Sequence, residues 1–170
     1  YAIGLNFSHT LVAIDGPAHQ ATFSKALPDG SKETVVREFD MIHVVPPQKA
    51  PDFVRASPLA DAAGWIDVDP ATLRHKKFEN IYALGDAGNT TNAKTAAAAR
   101  KQIVVVAENL LALRSGRELP TKYDGYGSCP LTVEKGKIVL AEFGFGGKLL
   151  PTFPLDPTVP RSSAWILKKN

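Results

Sequence analysis

Residues 81–102 read IYALGDAGNTTNAKTAAAARKQ and hold the side chains best placed to do chemistry. An apolar segment, IYAL, delivers Gly85 and Asp86 to its carboxyl end, where open α/β sheets bind their ligands. Gly85 permits close approach of another group to the backbone. Asp86 can accept a hydrogen bond from a sugar-like hydroxyl. The helix expected to follow aims its free N–H groups and positive dipole end at the same crevice. Ala96 to Ala99 keep its first turn slim enough for a flat ring or another backbone. Lys94 stands at the helix start, where it could meet a developing anion. The plainer reading is a solvated aspartate capping a loop, before alanines chosen for helix propensity. The second candidate is Cys129, in YDGYGSCPLT, between a glycine-bearing loop and Pro130. A cysteine there is either a small buried hydrophobe or a reactive thiol, and reactivity needs access and a field that favours thiolate.

Other chemistries find little support. The single cysteine excludes a disulfide within the chain and a cysteine-rich metal site. His9, His19, His43 and His75 show no metal-ligand spacing, so no metal is expected. Twenty basic and 17 acidic residues are interspersed, giving a net charge of +3, and no basic run is interleaved with aromatics. Nucleic acid is therefore not an expected partner. No apolar run reaches the roughly 18 to 20 residues that span a bilayer. The opening YAIGLNFSHT has neither the basic nor the apolar region of a signal peptide. It also lacks an initiator methionine, and a fragment or processed product is expected.

The elements that must position these residues follow from pattern. HTLVAID, QATFSKA and TVVREF alternate apolar and polar residues and are separated by Gly16-Pro17 and Asp29-Gly30, which predicts a β-meander. DMIHVVPP is nearly all apolar before its two prolines, and a fully buried strand is expected there. Residues 46–80 are loop-rich, with prolines at 46, 47, 51, 58 and 70, and hold a short strand in GWIDVDPATLRH. NIYALGD reads as a strand. A helix is expected from about Lys94 to Leu113, with Ile103, Val106, Ala107, Leu110 and Leu111 on its apolar face and Ser115-Gly116 as its stop. LTVEKG and KIVLAEFGF read as two strands, before a proline-rich, extended tail that turns apolar and basic.

NIYALGDAGN resembles the second flavin-binding motif of the two-dinucleotide-binding-domain flavoproteins, the disulfide-reductase-like family. Five motifs in order, KTAAAA, its helix, KYDGYGSCPL, VLAEF and TFPLD, are similar to those of the sulfide:quinone oxidoreductases, especially the branch with the mitochondrial enzyme. The resemblance runs from about Asn6 to Phe153. It implies an α/β fold, α+β within this chain: the C-terminal part of a tandem Rossmann-like FAD/NAD(P)-binding flavoprotein. Residues 1–50 would end the second dinucleotide-binding-like domain, 51–116 return to the FAD domain, and 117–170 start a C-terminal domain. Asp86 would hold the ribityl hydroxyls of FAD, with Gly85, Lys94, Thr95, Ala96 and Ala97 around the cofactor.

Family members oxidise hydrogen sulfide at a cysteine pair beside FAD, pass the electrons to a quinone and release sulfane sulfur to an acceptor. Cys129 matches the C-terminal cysteine of that pair. The partners implied are hydrogen sulfide, a quinone and a sulfur acceptor, with a homo-oligomer left open. Location is expected at a bacterial or mitochondrial inner membrane, peripherally, through a C-terminal segment this chain lacks. A Gly-x-Gly-x-x-Gly and the partner cysteine are also missing, so the chain alone is expected to be inactive. Two alternatives stand beside this one: a type II NADH:quinone dehydrogenase, which needs no cysteine at position 129, and a non-catalytic fragment or interaction domain.

Overall fold

The computed structural model describes residues 3–169, which fall into two compact units dividing between Gln48 and Lys49. In the first, β1 (His9–Asp15), β2 (Gln20–Ala26) and β3 (Lys32–Glu38) form an antiparallel meander in that order. The expected hairpin at Asp29-Gly30 is made, with Gly30 at φ +83° and Asp29 accepting the Ser31 N–H at 2.9 Å. Register slips by one residue at Val12, a bulge between the Leu11–Phe23 and Ala13–Thr22 pairs. Ala21 is the buried centre of this sheet, and Phe39 stacks on His19 beyond its end, with ring centroids 5.8 Å apart.

DMIHVVPP departs from expectation. It forms no strand, and Met41 and Val45 are 86% and 81% exposed. An apolar run becomes a buried strand only when a neighbouring strand pairs with it. None does so among the described residues, and Pro46 and Pro47 supply no N–H to attract one.

The second unit contains α1 (Asp52–Arg55), α2 (Ala96–Arg114), β4 (Gly127–Glu134), β5 (Lys137–Phe143) and α3 (Ser162–Lys169). Residues 60–90 carry no regular ladder. Isolated bridges join Ile66 to Gly88, Val68 to His75 and Arg74 to Tyr82, so the strand expected in NIYALGD is a single bridge. Side chains hold this stretch instead. Asp61 accepts the N–H groups of Ala63 and Trp65, at 2.9 and 3.0 Å. Asp69 accepts those of Ala71 and Thr72, at 3.1 and 2.7 Å. Asn89 accepts the Val68 N–H at 3.1 Å and donates to Asp67 at 2.8 Å.

Helix α2 begins two residues later than expected because Thr95 is its N-cap, its hydroxyl accepting the Ala98 N–H at 3.2 Å. It ends at Arg114, before Ser115 and Gly116, the latter at φ +66°. Its buried face is not the one the periodicity indicated. Ala98, Gln102, Val105, Asn109 and Ala112 are buried, while Ile103, Val104, Leu110 and Leu111 are exposed. The two buried amides are anchored. Asn109 donates to the carbonyls of Thr72 and Thr121 and accepts the Thr121 N–H, at 3.3, 2.9 and 3.1 Å. A satisfied amide can occupy a core position that an aliphatic residue would otherwise take. Leu73, Val105 and Tyr123 form the apolar centre, with Val106, Tyr126 and Phe145 packed on it. The tail expected to be extended ends in α3.

Candidate functional site

Gly85, Asp86 and Ala87 form one 3-10 turn, with Gly85 at φ +61°. That backbone suits glycine, and the Gly85 N–H points inward to the Gln102 Oε1 atom at 2.6 Å. The opposite side of the turn presents Asp86 to solvent. Lys94 closes the turn from behind. Its ammonium donates to the carbonyls of Gly85 and Asp86, at 3.4 and 3.5 Å, and to that of Gly88. It also lies 4.9 Å from the centre of the Trp65 ring. Burial pushes the Lys94 pKa down, and the Asp86 charge opposes that shift. Lys94 thus neutralises carbonyl dipoles of the turn.

Thr95 spends its hydroxyl on the Ala98 cap. The N–H groups of Ala96 and Ala97, first in the helix, have no acceptor within it by helix geometry. Ala96 is exposed and Ala97 half-buried, so that helix end is partly open. Gly85, Asp86 and Lys94 to Ala97 therefore meet at one turn and one helix start, as their spacing indicated.

Cys129 is a free thiol, half-buried, and is the third residue of β4 rather than part of the preceding loop. The ladder places Gly127 opposite Phe143, Ser128 opposite Glu142 and Cys129 opposite Ala141. Pro130 is tolerated because β4 pairs on one side only. The ladder begins at Gly127, so the loop reading failed by two residues.

Residues that the sequence reading did not single out join these two parts. Tyr123 is 4% exposed, its hydroxyl accepting the Asn92 amide N–H at 2.8 Å and donating to the Tyr126 carbonyl at 2.5 Å. Burial pushes the Tyr123 pKa up to about 12. The Tyr126 hydroxyl donates to the Glu142 Oε1 atom at 2.6 Å, and the Thr152 N–H donates to Oε2 at 2.9 Å. Glu142 is buried. Its pKa falls even so, because hydrogen bonds from Thr152 and Tyr126 outweigh the burial that opposes them. Gly127 lies directly on the loop before α2, where a Cβ on it would sit 3.4 Å from the Ala93 carbonyl oxygen. A usable signal existed: Gln102 and Asn109 interleave with Ala98, Val105 and Ala112 at helical spacing, a stripe visible only if amides count as core residues.

An apolar cavity of about 340 Å³ lies elsewhere, lined by Ile138, Leu140, Phe153, Leu155, Val159 and Leu167 among others. None of the residues selected from the sequence borders it. Among the described residues no group of three His, Cys, Asp or Glu side chains is arranged to hold a metal ion. Among them, too, no helix is long and apolar enough to cross a membrane.

No family model matches the chain. It is 37% identical, over 99% of its length, to the mitochondrial sulfide:quinone oxidoreductase of Mus musculus. Identity to the proteins of that name from Dictyostelium discoideum and Schizosaccharomyces pombe is 41% and 38%, over 98% and 99% of the chain. The chain spans 36–37% of the length of these relatives. A solved chain in the cryo-EM structure of the Tetrahymena thermophila mitochondrial ATP synthase, an F1Fo composite tetramer, superposes with a TM-score of 0.79 at 27% identity. That match covers 99% of this chain and 39% of that one.

Two small antiparallel sheets and one long helix give the α+β arrangement expected of a piece of a Rossmann-like flavoprotein. The resemblance drawn from the motifs holds over nearly the whole chain, which is related to part of the sulfide:quinone oxidoreductases.

Proposed function

We propose that this chain is the C-terminal part of a sulfide:quinone oxidoreductase, carrying half of a flavin seat and one of two sulfur-exchanging cysteines. The observation that carries the reading is the junction of Gly127 and Ala93, which sets the Cys129 hairpin against the segment leading into the Lys94–Ala97 turn. Three relatives of 37–41% identity that bear this enzyme's name supply the reaction class.

The residues present fit FAD on two counts: the exposed Asp86 carboxylate at a glycine turn, and a partly open helix start at Ala96 and Ala97. Asp86 accepts hydrogen bonds from ribityl hydroxyls. The N–H groups of Ala96 and Ala97 and the positive helix end favour negative charge on the ring. When bound, FAD supplies a two-electron acceptor that hands on to a quinone. Lys94 keeps the turn in shape. Cys129 exchanges sulfur with a second cysteine from outside this chain, an exchange that needs a thiolate attacker and access to the bridging sulfur. Hydrogen sulfide, a quinone and a sulfur acceptor are the partners, and the site of action is the mitochondrial inner membrane.

Cys129→Ser in the full-length protein tests this. Folding and FAD content should persist while sulfide-dependent quinone reduction falls by at least a hundredfold. Near-normal turnover in a well-folded variant refutes the role of Cys129.

A second reading is favoured by one observation, the 0.79 superposition on a chain within an ATP synthase assembly. In that reading the scaffold serves as an assembly component without catalysis. A full-length protein with no flavin absorbance and no response to sulfide decides for it.

A further inference from the structure

We propose that Tyr123 is a positioning residue whose hydroxyl sets where Cys129 stands relative to the Lys94–Ala97 turn. The inference rests on the reading of that turn as a flavin seat and of Cys129 as its sulfur partner.

The ring of Tyr123 is explained by packing alone. It is buried with Leu73 and Val105 and meets Phe145 edge-on, with centroids 5.7 Å apart. A phenylalanine would fill that space without bringing a hydroxyl into the core, where an unpartnered polar group is costly. The hydroxyl is instead fully used. It accepts from Asn92 at 2.8 Å and donates to the Tyr126 carbonyl at 2.5 Å. Asn92 belongs to the loop between the Gly85 turn and α2. Its amide has one sensible orientation, because Nδ2 also donates to the Ala93 carbonyl at 2.9 Å. Tyr126 is the last residue before β4.

One oxygen atom thus bridges the segment that leads to Lys94 and the segment that leads to Cys129. From Gly127 onward the ladder with β5 makes the hairpin a unit, so its placement is decided where it starts. Two further contacts act at the same point. Gly127 rests on Ala93, within van der Waals reach of its carbonyl oxygen and Cβ. The Tyr126 hydroxyl ties that start to Glu142 on β5. Cys129 lies three residues beyond the bridged carbonyl, roughly 10 Å along an extended strand, so a pivot at Tyr126 moves the thiol by ångströms. Displacements of that size cost large factors in reactions that need close approach.

The test uses full-length protein with FAD bound, comparing wild type, Tyr123→Phe and Gly127→Ala. Tyr123→Phe removes only the bridging oxygen. Gly127→Ala adds a methyl group at van der Waals distance from Ala93, leaves the oxygen in place and serves as the control. Both are expected to retain FAD stoichiometry and the KM for quinone. Tyr123→Phe should slow sulfide-dependent flavin reduction at least tenfold, and Gly127→Ala should stay within about twofold of wild type. A wild-type rate in Tyr123→Phe, or an equal slowing in the Gly127→Ala control, overturns the proposal. So does a lowered melting temperature in Tyr123→Phe with an unchanged rate per bound flavin, since the oxygen is then merely structural. A wild-type protein that binds FAD but shows no sulfide response overturns the underlying reading, and this inference with it.

Discussion

Replacing Gln102 with methionine removes the bond that holds the Gly85 turn to α2, together with the Gln102 amide's hydrogen bond to the Tyr123 hydroxyl. Gln102 is 1% exposed, and its Oε1 atom accepts the Gly85 N–H at 2.6 Å. Methionine has nearly the same length and volume, so the cavity contribution is small. What remains is an amide N–H shut away from water without a partner, a loss of about 1–3 kcal/mol. For a chain of this size about 2 kcal/mol lowers the melting temperature by roughly 4–8 °C. The loss should appear in urea as a shifted midpoint with an unchanged slope, because the surface exposed on unfolding is the same. It should also be local. Gly85 sits at φ +61° partly because its N–H is held, and releasing it lets the turn that presents Asp86 relax. Amide hydrogen exchange read at Gly85 should then accelerate well beyond that of the β4–β5 ladder. An unshifted midpoint with undiminished protection at Gly85 would show that the bond contributes nothing and that the turn is fixed by other means.

Two further outcomes follow from the same region. Gly125 has φ +82°, and a Cβ on it would lie 2.5 Å from the Phe145 backbone nitrogen, so Gly125→Ala should destabilise by about 3 kcal/mol or more; a melting temperature within 2 °C of wild type refutes the contact. Tyr123 should make stability fall at alkaline pH. Its folded pKa, about 12, lies above the unfolded value near 10, so its stabilisation is complete below pH 10 and lost as pH rises through 12. Two units correspond to at most about 2.7 kcal/mol, and Tyr123→Phe should flatten the decline in melting temperature between pH 9 and 12. Parallel declines in the two proteins would refute it.

What could be read from the sequence was what local signals decide. β1 and β2 fall where alternation and the Gly-Pro and Asp-Gly turns put them, because a hairpin is settled by its own residues. The length of α2 was legible from its helix formers and its Ser-Gly stop. Its orientation was not. Counting apolar residues selected Ile103, Val106, Ala107, Leu110 and Leu111, and of these only Val106 packs on the core. The winning face is decided by acceptors and donors far away in sequence: the Gly85 N–H for Gln102, and Thr72 and Thr121 for Asn109. The run DMIHVVPP failed for a related reason, since hydrophobicity states a need for burial without naming the neighbour that would meet it. At the candidate site, Gly85, Asp86 and the helix start were found together because the turn and the helix are close in sequence, although the expected strand before them is a single bridge. Tyr123, Asn92 and Glu142 were missed because their partnership crosses up to 50 positions between residues 92 and 142.

The two halves of the candidate site differ in where their shape is written. The hairpin of β4 and β5 is held by main-chain pairs, which almost any sequence can form, so it can accumulate substitutions on its outer face and keep its geometry. Residues 60–90 are held by Asp61, Asp69 and Asn89, each satisfying two or more partners. There a change of a single letter deletes a strut. Over generations the first region should drift and the second stand almost still, although Asp61, Asp69 and Asn89 are not among the residues selected for chemistry. A catalogue of variants sorted only by distance from Cys129 would therefore misjudge this protein, mistaking its most exacting residues for scaffolding of no consequence.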